Sequence, residues 1–344
     1  MKQGEFALKV AVHINNDKLF DDKWIYYLSQ YGVEAVKVNL FDSDIINKVR
    51  FYDGVMWHYH HSPVDKQAAA KILAAIENNL NIPVWPNYNT RWHFDEKISQ
   101  HYFFSAANAK RVKSWVFWDI ESASRFLENY NNYPLIVKLS VGAGSANVFK
   151  VDSVKEAVCF AENMFKYGIY PYTGNKPCNK NFKHRLKQAF LFMAKGIYPM
   201  PVYYQVQKGY FYVQEFIPNN EKDIRITVIG DRAFAFCRYN REGDFRASGS
   251  GAIDYDIKNI PMDAIKQAFE LSEFGNFQSM AYDFLVDRCN NVLVNEASYG
   301  YVDKAVYECP GYWDRNLNWI EGHMWPEEAH IVDFINYIIS RRIE

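Results

Sequence analysis

Most of the features that announce a function are missing from this chain of 344 residues. It carries no charge excess, with 39 Lys and Arg against 40 Asp and Glu. A general nucleic-acid binder normally shows a basic surplus, so that class is disfavoured, although a local cationic cleft for a phosphate-bearing ligand stays open. The five cysteines, Cys159, Cys178, Cys237, Cys289 and Cys309, are odd in number, far apart and never in a CxxC pair. That pattern fits reduced thiols in a cytoplasmic protein and not a disulfide framework or a zinc site. No segment approaches the ~20 apolar residues needed to span a bilayer. The opening MKQGEFALKVAVHINN also has no apolar run of signal-peptide length, so a soluble cytoplasmic protein is expected. There is no internal repeat or low-complexity tract, no GxxxxGK[ST], no GxGxxG, and no convincing Ser/His/Asp or Cys/His nucleophile.

What is present is a hydrophobic content of 49%, enough for a large core and two or three domain-sized units. Aromatic residues make up 17% of the chain, which reads as a tyrosine-rich core and surface first and as pocket lining for a sugar or nucleotide second. Strands are predicted at 8–14, 33–38, 53–58 and 82–85, alternating with helices at 22–31, 43–50 and 64–79. That alternation predicts a small parallel α/β domain. Beyond residue 90 a helix is expected at 95–107 with Asp95 as its cap, then strands at 114–118 and 135–139 around a helix at 121–130, and a helix at 155–166. Residues 170–185 read as an exposed excursion with a helix at 186–195. Strands follow at 210–217, 224–230 and 232–239, a loop at 243–251, a helix at 262–273, strands at 280–287 and 291–298, and a final helix near 327–341.

The most informative constellation is Asp283 with Glu296 and Ser298. If the strands MAYDFLVD and NVLVNEAS are antiparallel neighbours, alternation puts Glu296 and Ser298 on one face. Carboxylates sit poorly in such apolar runs, and burying an unpaired charge is costly, so a cation is the expected partner. Oxygen ligands together with nucleotide phosphates suit Mg²⁺, with Mn²⁺ as a substitute; the alternative is a solvated hairpin face. Lys138 lies within the strand-like YPLIVKL, directly before VGAGSANV, whose glycines suit a turn that wraps phosphates with backbone N–H groups. Lys97 lies near a helix start. Each lysine alone reads equally as a solvated side chain.

The order of these motifs resembles the ATP-grasp superfamily, in particular carboxylate–amine ligases of the D-alanine–D-alanine ligase and ribosomal S6 glutamate-ligase type. It looks closest to ATP-grasp proteins of bacterial capsule and O-antigen clusters. The likeness spans roughly residues 85–300 and is carried by NTRWHFDEK (89–97), YPLIVKLSVGAGSANV (133–148), YVQEFIPNNEKDIRITVIGDRAFAF (212–236), NREGDFRASGSG (240–251), MAYDFLVD and VLVNEAS. The fold class it implies is α/β, α+β in the ATP-binding part, with a small parallel pre-ATP-grasp domain at 1–88. A central subdomain would follow at 89–212, with an insertion at about 168–209, and a C-terminal subdomain at 213–344.

By resemblance, Lys97 and Lys138 are the ATP-phosphate lysines, and Gly142, Ala143, Gly144 and Ser145 form the loop over the phosphates. Gln214, Glu215, Phe216 and Ile217 form the hinge, with the main chain of Glu215 and Ile217 reading adenine, and Asp223 binds the ribose. Arg225, Arg238 and Arg246 line the phosphates or an acyl phosphate, and Asp283, Glu296 and Ser298 hold Mg²⁺. Ser298 departs from the asparagine usual at its position, which leaves one or two metal ions open. The implied activity is ATP-dependent, ADP-forming ligation of a small-molecule carboxylate to an amine, with sugar-linked substrates suggested by the capsule likeness. No nucleic-acid or membrane partner is expected, and a homodimer is allowed. Two alternatives stand beside it: an ATP-dependent kinase or phosphotransferase on the same fold, and a non-catalytic nucleotide binder. His58, His60 and His61 in WHYHH follow a parallel strand and read as loop histidines, substrate contacts or metal ligands. The segment 299–319 reads as a pocket cover or a packed extension.

Overall fold

The computed structural model describes residues 8–15, 20–142, 147–169, 171, 206–240 and 252–343. The helix expected at 186–195, nearly all of the excursion at 170–185 and the loop at 243–251 lie outside these residues. So do Ala143, Gly144, Ser145, Cys178 and Arg246. The chain forms two compact units, one from Met1–Phe94, Ala107–Lys110 and Asn220–Glu344, the other from Asp95–Ala106 and Arg111–Asn219.

In chain order the first stretch gives β1 (Lys9–His13), α1 (Asp21–Gln30), β2 (Glu34–Val38), α2 (Ile45–Val49), β3 (Gly54–Met56), α3 (Pro63–Ala74), β4 (Val84–Trp85) and α4 (Tyr88–Arg91). The middle stretch gives α5 (Lys97–Ala106), β5 (Ser114–Phe117), α6 (Ile120–Asn129), β6 (Leu135–Lys138), β7 (Val148–Val151), α7 (Val154–Lys166) and β8 (Phe211–Glu215). The last gives β9 (Lys222–Ile229), β10 (Arg232–Tyr239), β11 (Ile253–Asp254), α8 (Met262–Gly275), β12 (Ser279–Val286), β13 (Val292–Ser298), α9 (Asp303–Tyr307), β14 (Gly311–Trp313), β15 (Trp319–Glu321) and α10 (Pro326–Ile343).

The first unit holds a parallel sheet of order β2-β1-β3-β4. Val10, Ala11 and Val12 of β1 are fully buried, as expected of a strand covered on both faces. Ser62 caps α3 by accepting from Asp65 N–H at 3.1 Å, with Pro63 in the first turn. The helix expected through residue 79 continues past Ala74 as a π-helical turn, Ala75–Asn79. A seven-stranded sheet of order β13-β12-β9-β10-β14-β15, with β11 on β10, completes the unit. α8 covers one of its faces, and Ser272 of the helix meets the Tyr282 hydroxyl at 2.9 Å. α10 reaches both sheets. A Cβ on Gly54 of β3 would stand 2.8 Å from the side-chain ends of Phe334 and Ile338, so any larger residue there must displace them. Farther along the molecule Arg232 of β10 bonds Asp333 at 3.0 and 3.1 Å.

Glu327 on α10 is a buried acid with one cation shared between two carboxylates. Lys23 lies 2.5 Å from Asp303 and 3.3 Å from Glu327. Burial, opposed by Lys23 and reinforced by Asp303, pushes the Glu327 carboxyl up to about 8. A folded value above the ordinary 4.5 means that this group's contribution to stability is full below pH 4.5 and is lost as pH rises through about 8. Glu327→Gln, which keeps the neutral shape, is expected to melt several degrees above the parent at pH 8 and level with it at pH 5. A lower melting point at pH 8 would mean that Glu327 is ionised against Lys23.

The second unit is an antiparallel sheet of order β5-β8-β6-β7. Leu127, Ala157, Ala161 and Met164 from α6 and α7 close over Leu135, Val137, Phe211 and Val213. Asp119 and Ser153 cap those two helices through Ser122 N–H and Glu156 N–H. The cap expected of Asp95 is corrected: Glu96 accepts from Ser99 N–H at 2.6 Å, and Asp95 takes a φ of +48°. β7 was not expected, because Asn147 and Lys150 blur its short apolar pattern. Among the described residues no helix is long and apolar enough to cross a membrane.

Candidate active site

The seven-stranded sheet gathers charge on one face. Asp283 of β12 lies opposite Arg225 of β9 on one side and opposite Glu296 of β13 on the other. Arg238 of β10 lies opposite Asp223 of β9. Asp223 and Arg225 are two apart on one strand and therefore share a face. Arg225 donates through Nε and Nη2 to both oxygens of Asp283, each at 2.7 Å. Arg238 donates likewise to Asp223 at 2.8 and 2.5 Å and reaches Asp283 Oδ2 at 2.9 Å. These forked, charge-assisted pairs fix all four side chains in position. Burial and the charge of Asp283, opposed by Arg238, push the Asp223 carboxyl up to about 6. Burial acts on Asp283 in the same sense, but Arg225 and Arg238 together overcome it and hold that carboxyl below its usual range. The charges of two acids and two guanidiniums cancel, and Glu296 adds a further carboxylate beside them.

A β-bulge makes this arrangement. From the hairpin turn the register runs Val286↔Val292, Leu285↔Leu293 and Phe284↔Val294, then shifts to Asp283↔Glu296. Asn295 is the extra residue. Were the register to run on without the shift, Asp283 would face Asn295, and Glu296 would point to the covered side of the sheet. The sequence carries a trace of this: the alternation of VLV breaks at the adjacent polar pair Asn295 and Glu296. Ser298 follows on the same face, but its hydroxyl closes a local turn, 3.1 Å from both the N and the O of Gly300.

Among the described residues no group of three or more His, Cys, Asp and Glu forms a metal cage. The donor set here is two opposed carboxylates, which fits Mg²⁺ only where phosphates and water supply the remaining ligands. Asp283 already accepts three guanidinium bonds, from Arg225 twice and from Arg238.

The second unit places the lysines. Lys97, the first residue of α5, is 4% exposed, and Lys138, the last of β6, is 6% exposed. Lys97 N–H donates to Ser140 O at 2.9 Å and its ammonium donates to Gly142 O at 2.6 Å. Both lysines therefore belong to the glycine turn, Lys138 at its root and Lys97 at its first glycine, where φ is +132°. Gln214 is buried at the end of β8. Glu215 N–H is committed to Lys113 O at 2.9 Å, and its carboxylate accepts from the Tyr130 hydroxyl at 3.2 Å. The Phe216 ring lies 5.5 Å from the Lys150 ammonium, and Ile217 follows in the loop after β8.

A cavity of about 500 Å³ opens at the carboxyl ends of β1, β2 and β3, lined by His13, Asn15, Lys37, Asn39, Phe41, His60 and Asp65 among others. That is where parallel sheets take ligands. His13 Nδ1 accepts from Leu40 N–H at 3.0 Å, and Asn15 is spent on Asp21, His58 O and Trp57. Lys37, His60 and Asp65 are the other charged or titratable groups in its wall, and Lys37 lies 3.7 Å from Asp22. His58 does not line it: the ring is buried and stacked 4.1 Å from Phe20, and burial lowers it to about 3.

No protein-family model matches the chain, and no curated protein does. Solved structures match along nearly its whole length. D-alanine–D-alanine ligase from Bacillus anthracis superposes with a TM-score of 0.58 at 12% identity, over 98% of each chain. N5-carboxyaminoimidazole synthetase from Staphylococcus aureus, complexed with ADP, gives 0.56 at 11%, over 96% of this chain and 78% of that one. A RimK domain protein ATP-grasp from Sphaerobacter thermophilus gives 0.54 at 15%, over 95% and 99%. The fold is ATP-grasp. At such identities the fold is what is shared. The expected parallel N-terminal sheet and the antiparallel remainder of the ATP-grasp fold are both present. The arginine–carboxylate network is the part that sequence reasoning missed. Arg225 and Arg238, expected along phosphates, hold Asp283 and Asp223 in this structure.

Proposed function

We propose that the chain is an ATP-dependent, ADP-forming carboxylate–amine ligase. The observation that carries this reading is the bulge-set opposition of Asp283 and Glu296 on a sheet face already fixed by Arg225 and Arg238. In this reading the γ-phosphoryl group passes to a carboxylate oxygen, ADP leaves, an amine attacks the acyl carbon and phosphate departs. Mg²⁺ held by Glu296 and Asp283 would offset phosphate charge. Arg225 and Arg238 are assigned to the phosphates as donors that Asp283 and Asp223 hold in position, and Asp223 is assigned to the ribose hydroxyls. In the second unit Lys97 and Lys138 are the phosphate lysines, and Gln214–Ile217 form the adenine segment. Since Glu215 N–H is committed to Lys113, its carbonyl is the group left to meet the adenine amine. The cavity with Lys37, His60 and Asp65 is assigned to substrate recognition. The motif likeness to capsule-cluster proteins adds a surface-polysaccharide setting and sugar-linked substrates to the proposal.

The test is ADP release across a panel of carboxylic acids, each with and without candidate amines, followed by hydroxylamine trapping. A hydroxamate is expected from the acid that stimulates ADP release. ADP with a stable phosphate ester and no hydroxamate would identify a kinase and overturn the ligase reading. No turnover with any acid, in protein that binds ATP, would leave a nucleotide-binding protein.

A further inference from the structure

Tyr210 stands one residue before β8 and belongs to none of the motifs above. Its side chain is buried in the second unit, yet its hydroxyl makes two hydrogen bonds. It accepts from Ser140 N–H at 2.7 Å and donates to Gln207 Oε1 at 2.8 Å. Burial raises the phenol well above its ordinary value, so it stays an O–H donor.

Both partners occupy special places. Ser140 lies just past Lys138, at the root of the glycine turn, and its carbonyl accepts the Lys97 N–H at 2.9 Å. Leu139 N–H bonds Asn147 O at 3.0 Å. Gln207 exchanges two backbone bonds with Ile169, each at 2.8 Å, in an isolated bridge. That bridge is tightly built: a Cβ on Gly168, whose φ is +72°, would lie 2.9 Å from Gln207 O. One hydroxyl thus ties the Ile169–Gln207 bridge to the residue whose carbonyl also anchors Lys97.

We propose that Tyr210 is a positioning residue of the nucleotide site, holding the root of the glycine turn and the start of α5 in the geometry that meets the phosphates. This rests on the reading of Lys97 and the glycine turn as phosphate contacts. Phenylalanine would fill the same space and pack as well. What the hydroxyl adds is a fixed position for the Ser140 peptide, because a buried amide left without its acceptor is costly and moves to find another.

The experiment is calorimetric titration of the full chain with Mg·ATP, beside amide exchange at Ser140 without nucleotide. Tyr210→Phe is expected to weaken Mg·ATP about tenfold, the effect of one buried hydrogen bond, and to speed Ser140 exchange. Gln207→Leu should weaken binding similarly, with the double variant no weaker than either single one, because all three break the same chain of contacts. A purely structural hydroxyl would lower the melting temperature and leave the affinity of the folded protein unchanged, which would overturn the proposal. If Tyr210→Phe does not fold, unchanged Mg·ATP affinity in Gln207→Leu overturns it instead. Wild-type protein that fails to bind Mg·ATP would sink the ligase reading and this role with it. Wild-type binding with an unaffected Tyr210→Phe would sink the role alone.

Discussion

Glu296→Gln is expected to leave the fold in place and to cut ATP-dependent turnover by about 10³-fold, the scale of losing one preorganised electrostatic group at a phosphoryl-transfer site. The substitution keeps the size and the strand position and removes one negative charge. Glu296 is the side chain to change because its substitution leaves the guanidinium bonds of Asp283 in place: Asp283 accepts from Arg225 at 2.7 Å twice and from Arg238 at 2.9 Å. The measurement is ADP release at saturating ATP over a range of Mg²⁺, with the acid identified by the panel. The concentration of Mg²⁺ for half-maximal rate should rise along with the fall in rate. Asp283→Asn should differ in kind, because it also weakens two guanidinium pairs and should lower stability as well as turnover. Turnover in Glu296→Gln within a factor of two of the parent would remove Glu296 from the metal site.

Some of this could be read without coordinates. The parallel sheet was legible because LKVAVHI, VEAVKV and DGVMWH are uninterrupted strand-like runs spaced by helical ones. The Asp283–Glu296 pair was half legible. Alternation showed that each charge was out of place in an apolar strand, but their opposition depends on the bulge at Asn295, a register property that composition does not encode. The partners of Arg225 and Arg238 were not legible, because which arginine meets which aspartate is settled by the pairing of β9 with β10 and β12. β7 escaped because four residues, one of them Lys150, are too few to show a period. Tyr210 escaped for a different reason: its partner Ser140 is 70 residues away, and Tyr210 itself belongs to no recognisable motif.

The same network sets the largest expected effect on stability. Arg238→Met is expected to destabilise the first unit by about 3–5 kcal/mol, the usual result of deleting one member of a buried ion pair. Arg238 side-chain exposure is 11%, that of Asp223 is 9% and that of Asp283 is 13%, so solvent does little to soften the loss. Methionine keeps the apolar stem and removes the fork, leaving two buried carboxylates with Arg225 alone. One of them must then take up a proton. Asp223 is already pushed up to about 6 by burial and by Asp283, and losing Arg238 raises it further. A folded value above the unfolded one means stability that is lost as pH rises. The deficit of the variant should therefore be largest at pH 8 and shrink at pH 5, where the proton is cheaply supplied. Urea midpoints at the two pH values measure this directly. Adding Asp223→Asn to Arg238→Met should recover much of the stability at pH 8, since the uncompensated charge is gone, but should not restore Mg·ATP binding. Restored binding in the double variant would show that Arg238 serves only to neutralise Asp223. A deficit equal at both pH values would show that its packing, and not its charge, supports the sheet.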